Sequence, residues 1–308
     1  MDNTFNPSAE ILLEEAPQQK FPWLNVALFV LTCLTTMVMG TFLMTSFNNT
    51  FTGFSGLFRE VLRSPSILVS GLPFSLAIMS ILLAHEMGHY LTCRYYGIDA
   101  TLPYFIPVPF PPVGTMGAFI RIKSPIQHRA ALLEVGIAGP IAGFVLAVPA
   151  LMIALAKSGF TAVNPSAPGV MIGEPLIFKA MEFIAGKIPP AGMDLNLHPI
   201  GFAAWFGFFA TALNLLPVGQ LDGGHVSYAL FRGIHKRISE TFVFTLIPLG
   251  VFYWQGWLLW SVVLLLIGLR HPVTLDDSVP LRDRHLWLGW IGLAIFVLCF
   301  TPMPFYIN

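Results

Sequence analysis

The chain has 308 residues, 55% of them hydrophobic and only 10% charged, against roughly 45–50% and about 25% in soluble proteins. That composition excludes a disordered chain, and the balance of 16 basic against 16 acidic residues leaves no net positive field to gather nucleic acid. The few charges punctuate long apolar stretches, as in a chain that crosses a membrane several times.

Residues 1–23 form a polar N-terminal segment whose Glu10, Glu14 and Glu15 argue against the short basic start of a signal peptide. The first charge-free stretch, from Phe21 past Thr52, is therefore expected to be a retained span that opens a membrane-embedded domain over 24–308. Further stretches free of Asp, Glu, Lys, Arg and His run over 64–84, 135–156, 199–221, 241–269 and 286–308. A hydrocarbon core about 30 Å thick needs roughly 20 apolar residues at 1.5 Å rise each, so each stretch is long enough to span. The stretch 241–269 is too long for one upright helix, and Pro248, Gly250, Gln255 and Gly256 offer a break near its middle. The expected fold is an all-α polytopic membrane protein of six transmembrane helices, or seven if 241–269 folds back as a hairpin.

Gly53-Phe54-Ser55-Gly56 resembles the nucleophile motif of rhomboid serine proteases but lies in a polar connection, so it is expected to be a Gly/Ser loop. Cys33, Cys93 and Cys299 have no CxxC spacing and are expected to be small buried hydrophobes.

Chemistry enters at the end of the second stretch, in His85-Glu86-Met87-Gly88-His89. Residues four apart share a helix face, so the two imidazoles can bind one zinc ion while Glu86 serves as general base. Helix-surface histidines fit poorly, because ionisable groups at membrane depth are costly without a function. A catalytic zinc needs a third protein ligand, and Tyr95 stands where one zincin class has its third histidine. Asp99, Glu134 and Asp222 are the candidates. Asp222 closes the fourth stretch as the histidines close the second, and two crossings separate those ends, which puts both on one face of the membrane.

After the second span, Pro103 to Pro112 cannot be a regular helix, since five prolines interrupt it. From Gly114 to Ser124, Phe119, Arg121 and Lys123 alternate with Ala118, Ile120 and Ile122 in strand fashion. This segment is expected to be a re-entrant, β-like loop whose edge could take up an extended peptide. Gly139 and Gly143 have the GxxxG spacing of helix packing. The connection 157–198 has room for one short amphipathic helix around 175–188.

Together the motifs resemble the site-2 protease family of intramembrane zinc metalloproteases, peptidase family M50. His85-Glu86-Met87-Gly88-His89 matches its HExxH, and Asn214, Pro217 and Leu221-Asp222-Gly223 match its NxxPxxxLDG. Gly114 to Phe119 and Gly136 to Pro140 lend support, and the resemblance covers a core of about 64–237. It implies one Zn2+ per chain held by His85, His89 and Asp222, Glu86 as catalytic base, and Asn214 at the substrate or oxyanion. The expected partners are a transmembrane protein substrate and membrane lipid, with no nucleic acid. The chain looks like a form without the PDZ domain that many relatives carry in the connection 157–198, and without a CBS-like tail.

Arg94, Arg121, Lys123 and Arg129 follow the histidines, and Arg232, Lys236 and Arg237 follow Asp222. The positive-inside rule then predicts the active-site end at the cytoplasmic face, with the plasma membrane as the expected location. A zinc transporter using the same ligands is the alternative, although binding alone leaves Glu86 without a purpose.

Overall fold

The computed structural model describes residues 21–50, 53–163 and 170–307; the acidic residues of the N-terminal segment lie outside them. The chain is mostly helical. α1 (Trp23–Phe47) is the first apolar stretch, and its buried Thr32 and Thr36 donate to the carbonyls of Leu28 and Thr32, both at 2.7 Å, so neither hydroxyl is left unpaired in an apolar setting. The short α2 (Gly53–Arg63) carries Leu57 inward and Phe58 and Leu62 outward, so the Gly53 to Gly56 sequence starts a helix and not a catalytic elbow. A 3-10 turn over Pro65–Gly71 leads into α3 (Leu72–Tyr95).

β1 (Tyr104–Pro107) and β2 (Thr115–Phe119) form an antiparallel hairpin in which Phe105 faces Ala118 and the Tyr104 and Phe119 rings stack. Against the strand expected over Gly114 to Ser124, the strand character begins earlier, at Tyr104 among the prolines, and ends at Phe119, with Ile122 making only an isolated bridge to Ala100; Pro107 and Pro109 limit helix but not extended backbone. At the hairpin tip Gly114 has φ +85°, and a Cβ there would lie 2.7 Å from the Thr35 carbonyl, midway along α1.

α4 (Arg129–Lys157) is the central helix, packed against α3 on one side and against α6 (Pro199–Asn214), α7 (Asp222–Phe231) and α10 (Asp283–Cys299) on others. Leu132, Leu133, Ile137, Leu151, Trp205 and Phe208 fill this core. A second core joins Met39 of α1, Phe74 and Ile78 of α3, and Phe105 and Val113 of the hairpin. Between α4 and α6 lies α5 (Leu176–Ala185), the short helix expected in that connection. Two more two-stranded ribbons close this end: β3 (Gly159–Ala162) with β5 (Met193–Asn196), and β4 (Val170–Ile172) with β6 (Phe305–Ile307).

The stretch 241–269 breaks at Tyr253–Gln255 into α8 (His235–Phe252) and α9 (Gly256–Ile267), which pack on each other. The chain after α9 returns to the start of α4, where the Leu275 and Asp276 N–H groups donate to the carbonyls of Ile126 (3.1 Å) and Gln127 (2.7 Å). α8 and α9 thus fold back on each other within this stretch.

Three described helical segments, Trp23–Phe47, Pro65–Tyr95 and Arg129–Lys157, are long and apolar enough to cross a membrane. α6 is shorter than its charge-free stretch implied, because the turns after Asn214 end it seven residues before that stretch does. Leu24, Val30, Leu34, Leu76, Val145, Leu266 and Trp287 are exposed along the helices. An outer surface so apolar belongs in lipid, and this is a membrane protein.

Candidate metal centre

His85 and His89 lie one turn apart near the end of α3, both buried, with their rings 5.0 Å apart. Asp222 arrives from the first turn of α7, where the positive end of the helix favours a carboxylate. Its Oδ2 stands 3.2 Å from His85 Nε2 and 3.3 Å from His89 Nε2. These three residues are the one group of metal-ligating side chains that converges among the described residues, with ligand atoms all within 4.8 Å of one another.

Small residues make the convergence possible. A Cβ on Gly139 of α4 would lie 2.1 Å from His89 Nε2, and one on Gly143 would lie 3.3 Å from the His85 ring. The GxxxG spacing thus admits the histidine rings themselves, beyond the helix packing expected of it. Past Asp222, a Cβ on Gly223 would meet the Leu215 carbonyl at 2.0 Å, so α7 can begin against the preceding loop only with glycine there.

His89 Nδ1 donates to the Val135 carbonyl at 2.7 Å, which leaves Nε2, the nitrogen facing Asp222, with its lone pair free for a cation. Asn214, the last residue of α6, puts its Nδ2 3.1 Å from His85 Nε2, so its amide borders the same point. Glu86 lines the cavity with them and faces the Ile120 backbone just past β2. The cavity, about 240 Å³, is closed on the hairpin side by Ala118, Phe119, Ile120 and Ile122.

The other two ligand candidates are engaged elsewhere. Glu134 accepts from the Tyr96 hydroxyl (2.6 Å) and pairs with Arg284 (2.9 Å) and His285 (3.1 Å), tying α4 to the start of α10. Asp99 lies exposed, 3.8 Å from Lys123. His225, also on the cavity wall, has its Nδ1 2.6 Å from Nε2 of His271, a pairing across 46 residues that no local spacing signals.

Two nitrogen donors and one carboxylate, close together, buried, and with one tautomer fixed from behind, are the donor set of a zinc site with a position left for a reactant. The residues present therefore fit the metal.

Comparison with known proteins agrees. The chain is 31% identical over 247 residues to "Probable zinc metalloprotease EGY1, chloroplastic" of Arabidopsis thaliana, covering 76% of this chain and 43% of that protein. It is 29% identical over 243 residues to "Probable zinc metalloprotease EGY2, chloroplastic" of the same plant, covering 78% of this chain and 43% of that one. It is 27% identical over 252 residues to the EGY3 protein of the same description in Oryza sativa subsp. japonica, covering 75% and 42%. The chain thus spans less than half the length of these relatives, and their chloroplastic names lend no support to the plasma membrane as its location. The family model "Peptidase family M50" matches residues 73–253, which contain every residue of the centre, and the chain belongs to that family.

Proposed function

We propose that the chain is an intramembrane zinc metalloprotease that hydrolyses peptide bonds within or near the transmembrane segments of membrane-protein substrates. One observation carries the reading: the Glu86 carboxyl lines the same cavity as the converging side chains of His85, His89 and Asp222, which suits a general base beside a metal. A transporter has no use for such a base.

When bound, zinc supplies the Lewis acidity that activates water and polarises the scissile carbonyl. Glu86 takes the proton from the attacking water and returns it to the leaving nitrogen. The Asn214 amide donates to the oxygen on which negative charge develops. A spanning helix hides its own carbonyls, so a substrate must be drawn out before attack. The β1–β2 hairpin supports that step: its tip reaches midway along α1 while its last strand borders the cavity, as a re-entrant loop offering a strand edge to substrate would.

We read the membrane arrangement as five full crossings, α1, α3, α4, α6 and α10, with α8 and α9 entering and returning as a hairpin, seven helices in all. The active-site end then gathers Arg94, Arg121, Lys123, Arg129, Arg232 and Arg270, which supports placing it on the cytoplasmic side by the positive-inside rule.

The test is a reconstituted single-span substrate. Glu86→Gln is expected to retain zinc and lose cleavage, whereas undiminished proteolysis would sink the enzyme reading. Cysteines placed beside Lys123 and Lys179 should be labelled from opposite sides of the membrane, and labelling from one side overturns the arrangement.

A further inference from the structure

A second cavity, of about 690 Å³, lies at the end of the molecule away from the metal centre. α6 gives the separation: Asn214 ends it at the centre, Pro199 and Phe202 line the second cavity at its start, and 16 helical residues measure about 24 Å. The walls are aromatic, with Phe42 and Phe47 from α1, Phe178 from α5, and Tyr306 from β6. The ionisable lining consists of Glu174, Glu182, Asp194 and the Tyr306 phenol; no Lys, Arg or His among the described residues lines it.

Glu182 is 5% exposed, and its buried Oε1 has no hydrogen-bond partner among the described residues. An unpaired buried carboxylate oxygen is costly, more so with two further carboxylates close by. Lys179, one turn earlier on α5, acts on Glu182 as an opposite charge but does not line the cavity. The three carboxylates do not converge as ligands of one small ion, since the only such convergence among the described residues is at the metal centre. Aromatic walls around a spread of carboxylates suit a cation carried on an apolar stem.

We propose that this cavity binds a lysine or arginine side chain of the substrate, from the peptide segment on the side of the membrane opposite the metal centre, with Glu182 receiving the cationic head. The proposal rests on the proteolytic reading above. Pro111 and Pro112 of the hairpin line this cavity, and Phe119 and Ile120 line the other, so one element borders both. A separation of about 24 Å corresponds to about 7 residues of extended chain or about 16 of helix, which sets where the basic residue falls relative to the cleaved bond.

The experiment uses the full chain carrying Glu86→Gln, so that bound substrate survives. Fluorescent single-span peptides with arginine, or with glutamine, 7 to 16 residues from the cleavage position are titrated in detergent micelles. The arginine form is expected to bind at least tenfold more tightly, and Glu182→Gln to remove most of that preference. Glu174→Gln, on the same wall, should lower it and guards against misfolding of the first variant. Equal affinity for the two peptides overturns the proposal, as does a preference that both variants retain. Calcium chloride alone is titrated as well: Glu182-dependent calcium binding that the arginine peptide does not displace would make this a metal site and refute the peptide assignment. An arginine preference in a protein whose Glu86 form cleaves no substrate would defeat the proteolytic reading while leaving the subsite standing.

Discussion

His89 is fixed from behind and from the side. Its Nδ1–H is spent on the Val135 carbonyl, and a side chain at Gly139 would intrude on its Nε2. Gly139→Ala should therefore displace the imidazole and lower zinc affinity about 10–100-fold, the usual scale for a disturbed ligand support. Gly159→Ala, where a Cβ meets nothing within 4 Å, is the matched control and should leave metal content and activity alone. Metal analysis of both purified variants decides the matter, and equal zinc in both would contradict it. Asn214→Ala should keep zinc and lower kcat on the order of 100-fold, because its amide borders the ligands without needing to be one. Loss of metal in that variant would recast Asn214 as a support of His85. The histidine pair is legible in the sequence because helical spacing is local: His85 and His89 are one turn apart whatever the rest of the chain does. The spacing of Gly139 and Gly143 signals helix packing but not the histidines they admit, since which face of α4 meets α3 is decided by tertiary contact. The His225–His271 pair was invisible for the same reason.

At the scale of elements, the network around Glu134 gives a ligand candidate a structural role elsewhere. Its carboxylate joins Tyr96 at the end of α3 to Arg284 and His285 at the start of α10, with α4 between them. Glu134→Ala should retain full zinc but lower stability by about 1–3 kcal/mol, the scale of a buried hydrogen-bonded group losing its partners. Thermal unfolding alongside metal analysis separates the two roles; zinc loss without destabilisation would restore Glu134 as a ligand candidate. Pro248, Gly250 and Gly256 mark the break in 241–269 because that signal is written in neighbouring residues, whereas the alternation over 118–123 overlaps β2 only at Ala118 and Phe119 and continues as an isolated Ala100–Ile122 bridge. The β3–β5 and β4–β6 ribbons were not foreseen. Each joins short segments far apart in the chain, and three or four residues of pleat carry too little pattern to announce a distant partner. α6 was overestimated because absence of charge marks an apolar stretch but not where a helix stops within it.

On the whole molecule, charge scarcity has a second consequence besides membrane residence. The end that holds β3 to β6 carries Glu174, Glu182 and Asp194 around one cavity, so its stability should vary with pH through Glu182. Burial raises that carboxyl from 4.5 to about 7, Glu174 and Asp194 add to the rise, and Lys179 opposes it. A carboxyl with a raised native pKa holds its proton more tightly in the folded than in the unfolded chain. Its contribution is fully present below about 4.5 and is lost as pH rises through about 7. Glu182→Gln keeps the shape and removes the titration. The difference in unfolding temperature, wild type minus variant, should therefore fall between pH 4.5 and 8, while groups common to both proteins cancel. Parallel curves across that range would mean that Glu182 is already paired in the folded protein, and the acidic cavity would then lose its claim to an unmet charge.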